Sequence, residues 1–310
     1  MAQEMKMTKK TSNRFKSFLF ILYHVFKNFI LFFVPNRLMP KNFKNVNDQC
    51  ILITGGGSGI GQLMVMKFLK LGAKVIIWDV NVDNLDRTRQ MAKGYDEKLF
   101  CYRIDLCQKD SIYETAKQVQ NDVGPVDILI NNAGVVTGKN ILDLSDEQIQ
   151  RTMNVNVISH FFTIRAFLPR MIERKSGHIV TIASLAGELG VALLTDYCAS
   201  KFAAIGMEQS LHFELAKANL DSQIKTTIVK PWLITTGMFS GAHSGLIPMF
   251  SPEYVAQKIV EAILLEKSVL VLPWYLEYMG ILLKIFPSKC LIPIYDFLGG
   301  FESMDNFTGR

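Results

Sequence analysis

Tyr197 and Lys201 stand four residues apart in the run Tyr197-Cys198-Ala199-Ser200-Lys201. On a helix that spacing puts a phenol and an ammonium on one face. A nearby ammonium stabilises a phenolate and lowers a tyrosine pKa toward neutrality. Such a phenol can accept the proton of an alcohol while a hydride leaves the same carbon. The pair alone is a common pattern, and surface packing ordinarily explains it. The surrounding sequence changes the odds.

One such feature is Thr54-Gly55-Gly56-Gly57-Ser58-Gly59-Ile60-Gly61, between a strand-like run and a helical one. Glycines let a backbone turn tightly and approach a pyrophosphate, and the helix N-terminus behind the loop offers free N–H groups. Gly55, Ser58, Gly59, Ile60 and Gly61 are therefore candidate contacts to a dinucleotide. Asp79 ends the next apolar run, Val75-Ile76-Ile77-Trp78-Asp79. A carboxylate there accepts hydrogen bonds from adenosine ribose hydroxyls and repels a 2′-phosphate. No Lys or Arg lies in the loop or just after Asp79, so NAD is favoured over NADP.

These side chains need a frame. Short Val- and Ile-rich runs occur at Cys50–Thr54, Lys74–Trp78, Leu99–Ile104, Val126–Ile130, His178–Ala183, Lys225–Lys230 and Ser268–Leu272. Helical patterns fall near 60–71, 83–93, 110–122, 146–173, 196–219 and 252–266. Alternation of this kind predicts an α/β fold, a Rossmann-like doubly wound parallel sheet of about seven strands. Ser184 follows the fifth run.

The net charge of +6 is unevenly spread. Residues 1–44 hold nine Lys/Arg and one acid, and the remainder holds 25 basic and 27 acidic residues. A basic, apolar segment beside a near-neutral body suits an anionic membrane surface and argues against nucleic acid. Residues 15–34 are mostly Phe, Leu, Ile and Val. Lys16, Ser17, His24, Lys27 and Asn28 fall on about a third of a helix circumference. That pattern favours an amphipathic membrane helix lying in one leaflet over a span or a cleaved signal. The five cysteines form no C-x-x-C pair, which points to a reducing, cytosol-facing compartment with neither disulfide framework nor zinc site. Three parts are expected: a membrane-anchoring segment over 1–45, a catalytic domain over 46–272, and an apolar extension over 273–310 that serves as lid or membrane contact.

T-G-G-G-S-G-I-G at 54–61, N-N-A-G at 131–134, Asn156 in N-V-N-V, Ser184 and Y-C-A-S-K at 197–201 together resemble the short-chain dehydrogenase/reductase family. The resemblance covers about residues 48–270. It implies that Asn156, Ser184, Tyr197 and Lys201 carry catalysis. Ser184 would bind the substrate oxygen, Asn156 would hold a water linking Lys201 to solvent, and Lys201 would also bind the nicotinamide ribose. It further implies cofactor contacts from Asp105, Leu106, Asn132, Ala133, Pro231 and Thr235 or its neighbour Thr236, and a homodimer. Trp232 stands where many members have glycine.

V-T-G-K at 136–139, D-Y-C-A-S-K-F-A-A at 196–204, K-T-T-I-V at 225–229 and I-T-T-G-M-F at 234–239 are similar to a membrane-associated branch. That branch contains epidermal-type retinol dehydrogenases and lipid-droplet 17β-hydroxysteroid dehydrogenases. It implies a lipophilic alcohol or ketone, and attachment to the endoplasmic reticulum or lipid droplets with the catalytic domain facing cytosol. Apolar residues after Ser184 (Leu185, Leu189, Val191, Leu193, Leu194) and after Pro231 (Trp232, Leu233, Ile234, Met238, Phe239) suit a retinoid, steroid or long-chain alcohol. A non-catalytic lipid-droplet scaffold is the competing class. It would not need to keep Asn156, Ser184, Tyr197 and Lys201 together.

Overall fold

The apolar runs form seven strands: β1 (Cys50–Thr54), β2 (Lys74–Asp79), β3 (Leu99–Arg103), β4 (Ile128–Asn131), β5 (Gly177–Ile182), β6 (Ile224–Pro231) and β7 (Val269–Leu272). They make one sheet in the order β3-β2-β1-β4-β5-β6-β7, with every pair parallel. The computed structural model describes residues 18–23, 26–27 and 42–309. Strand order reverses between β1 and β4. Connections leaving that point diverge and open a crevice beyond the strand C-termini.

Both faces of the sheet are covered, and this explains why the strands show no polar alternation. Ile51, Ile53, Val75 and Ile77 pack on one face with Val65 and Phe68 of α1 (Gly59–Lys70) and Ile259 and Ile263 of α7 (Pro252–Leu264). Leu52, Ile76, Trp78 and Leu129 pack on the other with Ile112 and Val119 of α3 (Lys109–Asp122) and Phe167 and Met171 of α5 (Ser159–Arg174). Neighbouring residues in one strand point to opposite faces, so a strand covered twice must be apolar throughout. Between them, α2 (Val82–Met91) links β2 to β3.

The helix expected over 146–173 is interrupted. It begins as α4 (Asp146–Met153), where the Ser145 hydroxyl accepts from the Gln148 N–H and the Gln148 side chain accepts from the Ser145 N–H. One turn of π-helix, Asn154–Ile158, then joins it to α5. Such turns bulge a helix locally and collect at functional sites.

Two compact units divide the chain, Met1–Asn42 and Phe43–Arg310. In the first, residues 18–23 and 26–27 are helical. The rest of the segment expected to be helical over 15–34 lies outside the described residues. No helix among the described residues is long and apolar enough to cross a membrane. In the second unit, residues 273–309 belong with the sheet rather than apart from it. They form α8 (Leu276–Ile285), α9 (Ser288–Phe297) and a closing turn at Glu302–Met304.

Besides Asp196 in its first turn, the long helix α6 (Thr195–Lys217) buries the acid Glu208. Thr181 Oγ1 of β5 donates to its Oε2 at 2.5 Å, and its Oε1 has no hydrogen-bond partner. Burial pushes the acid up to about 8 from an ordinary 4.5. Between those values the folded chain holds a proton that the unfolded chain releases, so stability falls as pH rises. Relative to a Glu208→Gln variant, the protein should lose roughly a few kcal/mol between about pH 5 and about pH 9. Denaturant unfolding of both proteins at the two pH values measures this. A difference that does not vary with pH would mean that Glu208 is charged in both states.

Candidate active site

The loop after β1 is fixed by close packing. Gly55 has φ +64°, a backbone that L side chains rarely adopt, and an added Cβ would lie 2.9 Å from Ala133 Cα. A Cβ at Gly61 would overlap the Gly55 carbonyl and lie 2.7 Å from Asn132 Nδ2. The first turn of α1 therefore presses directly on the loop. Thr54 Oγ1 accepts from the Asn132 and Ala133 N–H groups at 2.9 and 3.0 Å, and Asn132 Nδ2 donates to the Thr54 carbonyl at 2.8 Å. These bonds tie the end of β1 to the segment after β4. Asp79, at the end of β2, accepts from the Gly57 N–H at 3.0 Å and from the Asn81 N–H at 3.0 Å. Asp105 Oδ1 accepts from the Cys107 N–H at 2.9 Å.

These contacts frame one end of a cavity of about 1270 Å³. Gly55, Ser58, Gly59, Ile60, Asp79, Asp105, Leu106, Asn132 and Ala133 line one part of it. Gly61 lies behind, against the loop. The bare glycine cradle, the helix N-terminus facing it and the carboxylate of Asp79 together fit a dinucleotide.

Tyr197 and Lys201, one turn apart on α6, line the same cavity and are 4% and 3% exposed. Lys201 Nζ lies 5.6 Å from the Tyr197 ring centroid and donates to the Ile182 carbonyl at 2.9 Å. Ser184 follows β5; its hydroxyl accepts from the Ala186 N–H at 3.1 Å and donates to the Pro231 carbonyl at 3.4 Å. The Ser184 hydroxyl also acts on the Tyr197 phenol, favouring its ionised form. Asn156 sits in the π-turn and is fully buried behind Lys201, off the cavity wall. Its Oδ1 accepts from the Val135 N–H at 2.8 Å, and its Nδ2 donates to the Val135 carbonyl at 2.9 Å and to Ser200 Oγ at 3.0 Å. A Cβ on Gly134 would lie 3.5 Å from Asn156 Oδ1 and 3.7 Å from Lys201 Nζ, so the bare glycine keeps both groups close.

Charge at this site departs from the sequence expectation. Lys201 was expected to draw the Tyr197 pKa down. In the structure burial pushes the phenol well above its ordinary value, and it is Ser184 that pulls the other way. Burial also pushes Lys201 down to about 8. Both groups are stripped of water, which disfavours the charged form of each. His160, also buried, is pushed down to about 3 by burial and by the charge of Lys201, so it stands neutral beside the lysine.

Beyond Ser184 the cavity is apolar. Leu185, Leu189, Val191 and Leu194 line it from one segment, and Trp232, Leu233, Ile234, Met238 and Phe239 from another. Leu193 does not reach it. Of the two threonines, Thr236 lines the cavity, whereas Thr235 is exposed and its N–H and hydroxyl both donate to the Phe250 carbonyl. The bridge between Ile234 and Phe250 turns Thr235 outward. Pro231 is on the wall. Glu188 and Lys230 form an ion pair of 2.6 Å behind this wall. The sequence did not single out Leu276, Ile294, Tyr295 and Met304, which complete the apolar part from α8, α9 and the closing turn. Tyr295 OH accepts from the Ala192 N–H at 3.1 Å. Only the apolar character of the C-terminal segment hinted at this.

A glycine-cradled dinucleotide site at a strand-order reversal, opening onto a buried Ser-Tyr-Lys group, defines an oxidoreductase that uses a nicotinamide dinucleotide. The comparisons with known proteins agree: the family described as short chain dehydrogenase matches residues 49–245, and the chain belongs to it. Human epidermal retinol dehydrogenase 2 is 44% identical over 277 residues, covering 88% of this chain and 89% of the relative. Human estradiol 17-beta-dehydrogenase 11 is 38% identical over 265 residues, covering 86% of each. A metagenomic short-chain oxidoreductase crystallised with NADP matches with a TM-score of 0.63 and 27% identity, covering 74% of this chain and 98% of that one.

Proposed function

We propose that this protein is an NAD-dependent dehydrogenase of a lipophilic alcohol, oxidising all-trans-retinol to retinal from the surface of the endoplasmic reticulum or of lipid droplets. The observation that carries the reading is the single cavity in which the glycine cradle, Tyr197 with Ser184, and a long apolar wall meet in that order. A retinoid offers one hydroxyl and an apolar body, and the wall offers few polar anchors beyond Ser184 and Tyr197. A 17β-hydroxysteroid is the second candidate, supported by the relative named for estradiol; a fatty alcohol is the third.

When bound, an oxidised nicotinamide supplies the hydride acceptor and a positive charge. Ser184 and Tyr197 hold the substrate hydroxyl between them. Ionised beside the ammonium of Lys201, with its own proton passed to solvent, Tyr197 Oη takes the hydroxyl proton, which leaves the oxygen free to form the carbonyl as the hydride departs. Lys201 steadies the phenolate through the field of its ammonium, and Asn156 fixes the turn against which Lys201 is packed. NAD, rather than NADP, is supported by the carboxylate of Asp79 and by the absence of Lys or Arg just after it. Membrane attachment is supported by the basic, apolar composition of residues 1–44.

NADH formation by membrane-reconstituted protein should be seen with all-trans-retinol in preference to oestradiol or a long-chain alcohol, and a Tyr197→Phe change should cost at least about a hundredfold in kcat. Undiminished turnover in that variant would remove Tyr197 from the reaction. An Asp79→Ala change should raise the KM for NAD about tenfold while improving the use of NADP, because a charge-assisted acceptor is lost together with its repulsion. Protein lacking residues 1–40 is expected in the soluble fraction on membrane flotation, with NADH binding intact. Its continued flotation with membranes would transfer the attachment to the C-terminal apolar segment.

A further inference from the structure

Residues 303–309 are stitched to loops that flank Tyr197. The His243 N–H donates to the Ser303 carbonyl at 2.9 Å. The N–H groups of Thr308 and Gly309 donate to the Ser240 carbonyl at 2.9 and 3.3 Å, and Thr308 Oγ1 donates to the same oxygen at 3.3 Å. Two loops are bare where the strap crosses them. Gly138 (φ +68°) leaves room for the Phe307 ring, and Gly241 (φ +80°) leaves room for the Asn306 carbonyl; a Cβ at either position would overlap its neighbour.

The strap reaches the phenol through two rings. Phe307 meets Phe239 edge-on at 6.4 Å between centroids, and Phe239 meets Tyr197 edge-on at 5.7 Å. Met304, 2% exposed, packs in the same cluster with Val136, Leu194 and Tyr197. Helix α6 holds one side of Tyr197. The other side rests on Phe239, which belongs to a single short turn, Gly237–Phe239. A lone turn outside any helix or strand of the frame fixes a ring poorly by itself. Phe307 and Met304 supply the missing backing.

We infer that Met304 and Phe307 are positioning residues for Tyr197: they hold Phe239 against its ring and keep water from its hydroxyl. This rests on the reading of Tyr197 as the proton-transfer group. Two measurements on the full-length, membrane-reconstituted protein test it. The first is kcat and KM for all-trans-retinol and NAD. Phe307→Ala should lower kcat about ten- to a hundredfold, since small misplacements of a reacting group cost that much, with the Kd for NADH unchanged, and Phe307→Leu should recover most of the loss. The second needs no substrate: nitration by tetranitromethane, mapped by peptide mass spectrometry. Tyr197 should be protected in the wild type and in Phe307→Leu, and modified in Phe307→Ala and Met304→Ala.

The inference is overturned if the two alanine variants keep wild-type kcat and a protected Tyr197. It is equally overturned if they only lower Tm, or lose NADH affinity in step with kcat, because a purely structural strap would do that. Retained turnover in Tyr197→Phe would instead sink the reading of the site. In that case, or if retinol is not turned over at all, the nitration result alone decides whether the strap shields the phenol.

Discussion

Lys201 is an amine with almost no water around it, and the active site is organised by how that amine is held. Its Nζ has one protein acceptor, the Ile182 carbonyl at the end of β5. An ammonium is costly to bury unless its donors are used and its field does something. Here the field falls across the Tyr197 ring one helical turn away. Three elements must meet for this to hold: the end of β5, the first turns of α6, and the π-turn that sets Asn156 behind the lysine. Asn156 in turn clamps the Val135 backbone in both directions. The segment carrying Gly134 is thereby fixed where the dinucleotide part of the cavity meets the reacting part.

The dinucleotide end depends on the absence of atoms. Gly55 and Gly61 approach each other and Asn132 so closely that a methyl group at either would displace backbone. Thr54 then bridges β1 to the segment after β4 with its hydroxyl. These contacts cross the point at which strand order reverses, so the crevice is braced where the fold would otherwise spread. Asp79 is oriented by two backbone N–H groups. Its carboxylate is held in place before any ligand arrives.

The substrate end is built differently. It is walled by two loops and by the chain after β7, elements with few ladder hydrogen bonds among them. Their order comes from point contacts: the Glu188–Lys230 ion pair, the Tyr295 hydroxyl on the Ala192 N–H, and the strap on Ser240. Such a wall can change its side chains without disturbing the reacting groups.

Much of this was legible in the order of residues. All seven strands fall where the apolar runs predicted, because a strand covered on both faces must be apolar along its whole length, and that is a local property. The glycine loop, Asp79 and the Tyr-Lys spacing were equally local. What sequence order could not reveal depends on contacts between distant segments. The break in the helix at Asn154–Ile158 is set by packing against α6. Thr235 turns outward because Ile234 bridges to Phe250. The phenol of Tyr197 is pushed up by burial, which no spacing records. The C-terminal residues joined the site only when the chain folded back over it. Periodicity and motif spacing determined the frame and the reacting groups. The solvation of those groups, and which residues enclose them, were decided by tertiary structure, since both arise from surfaces that meet across a hundred residues of chain.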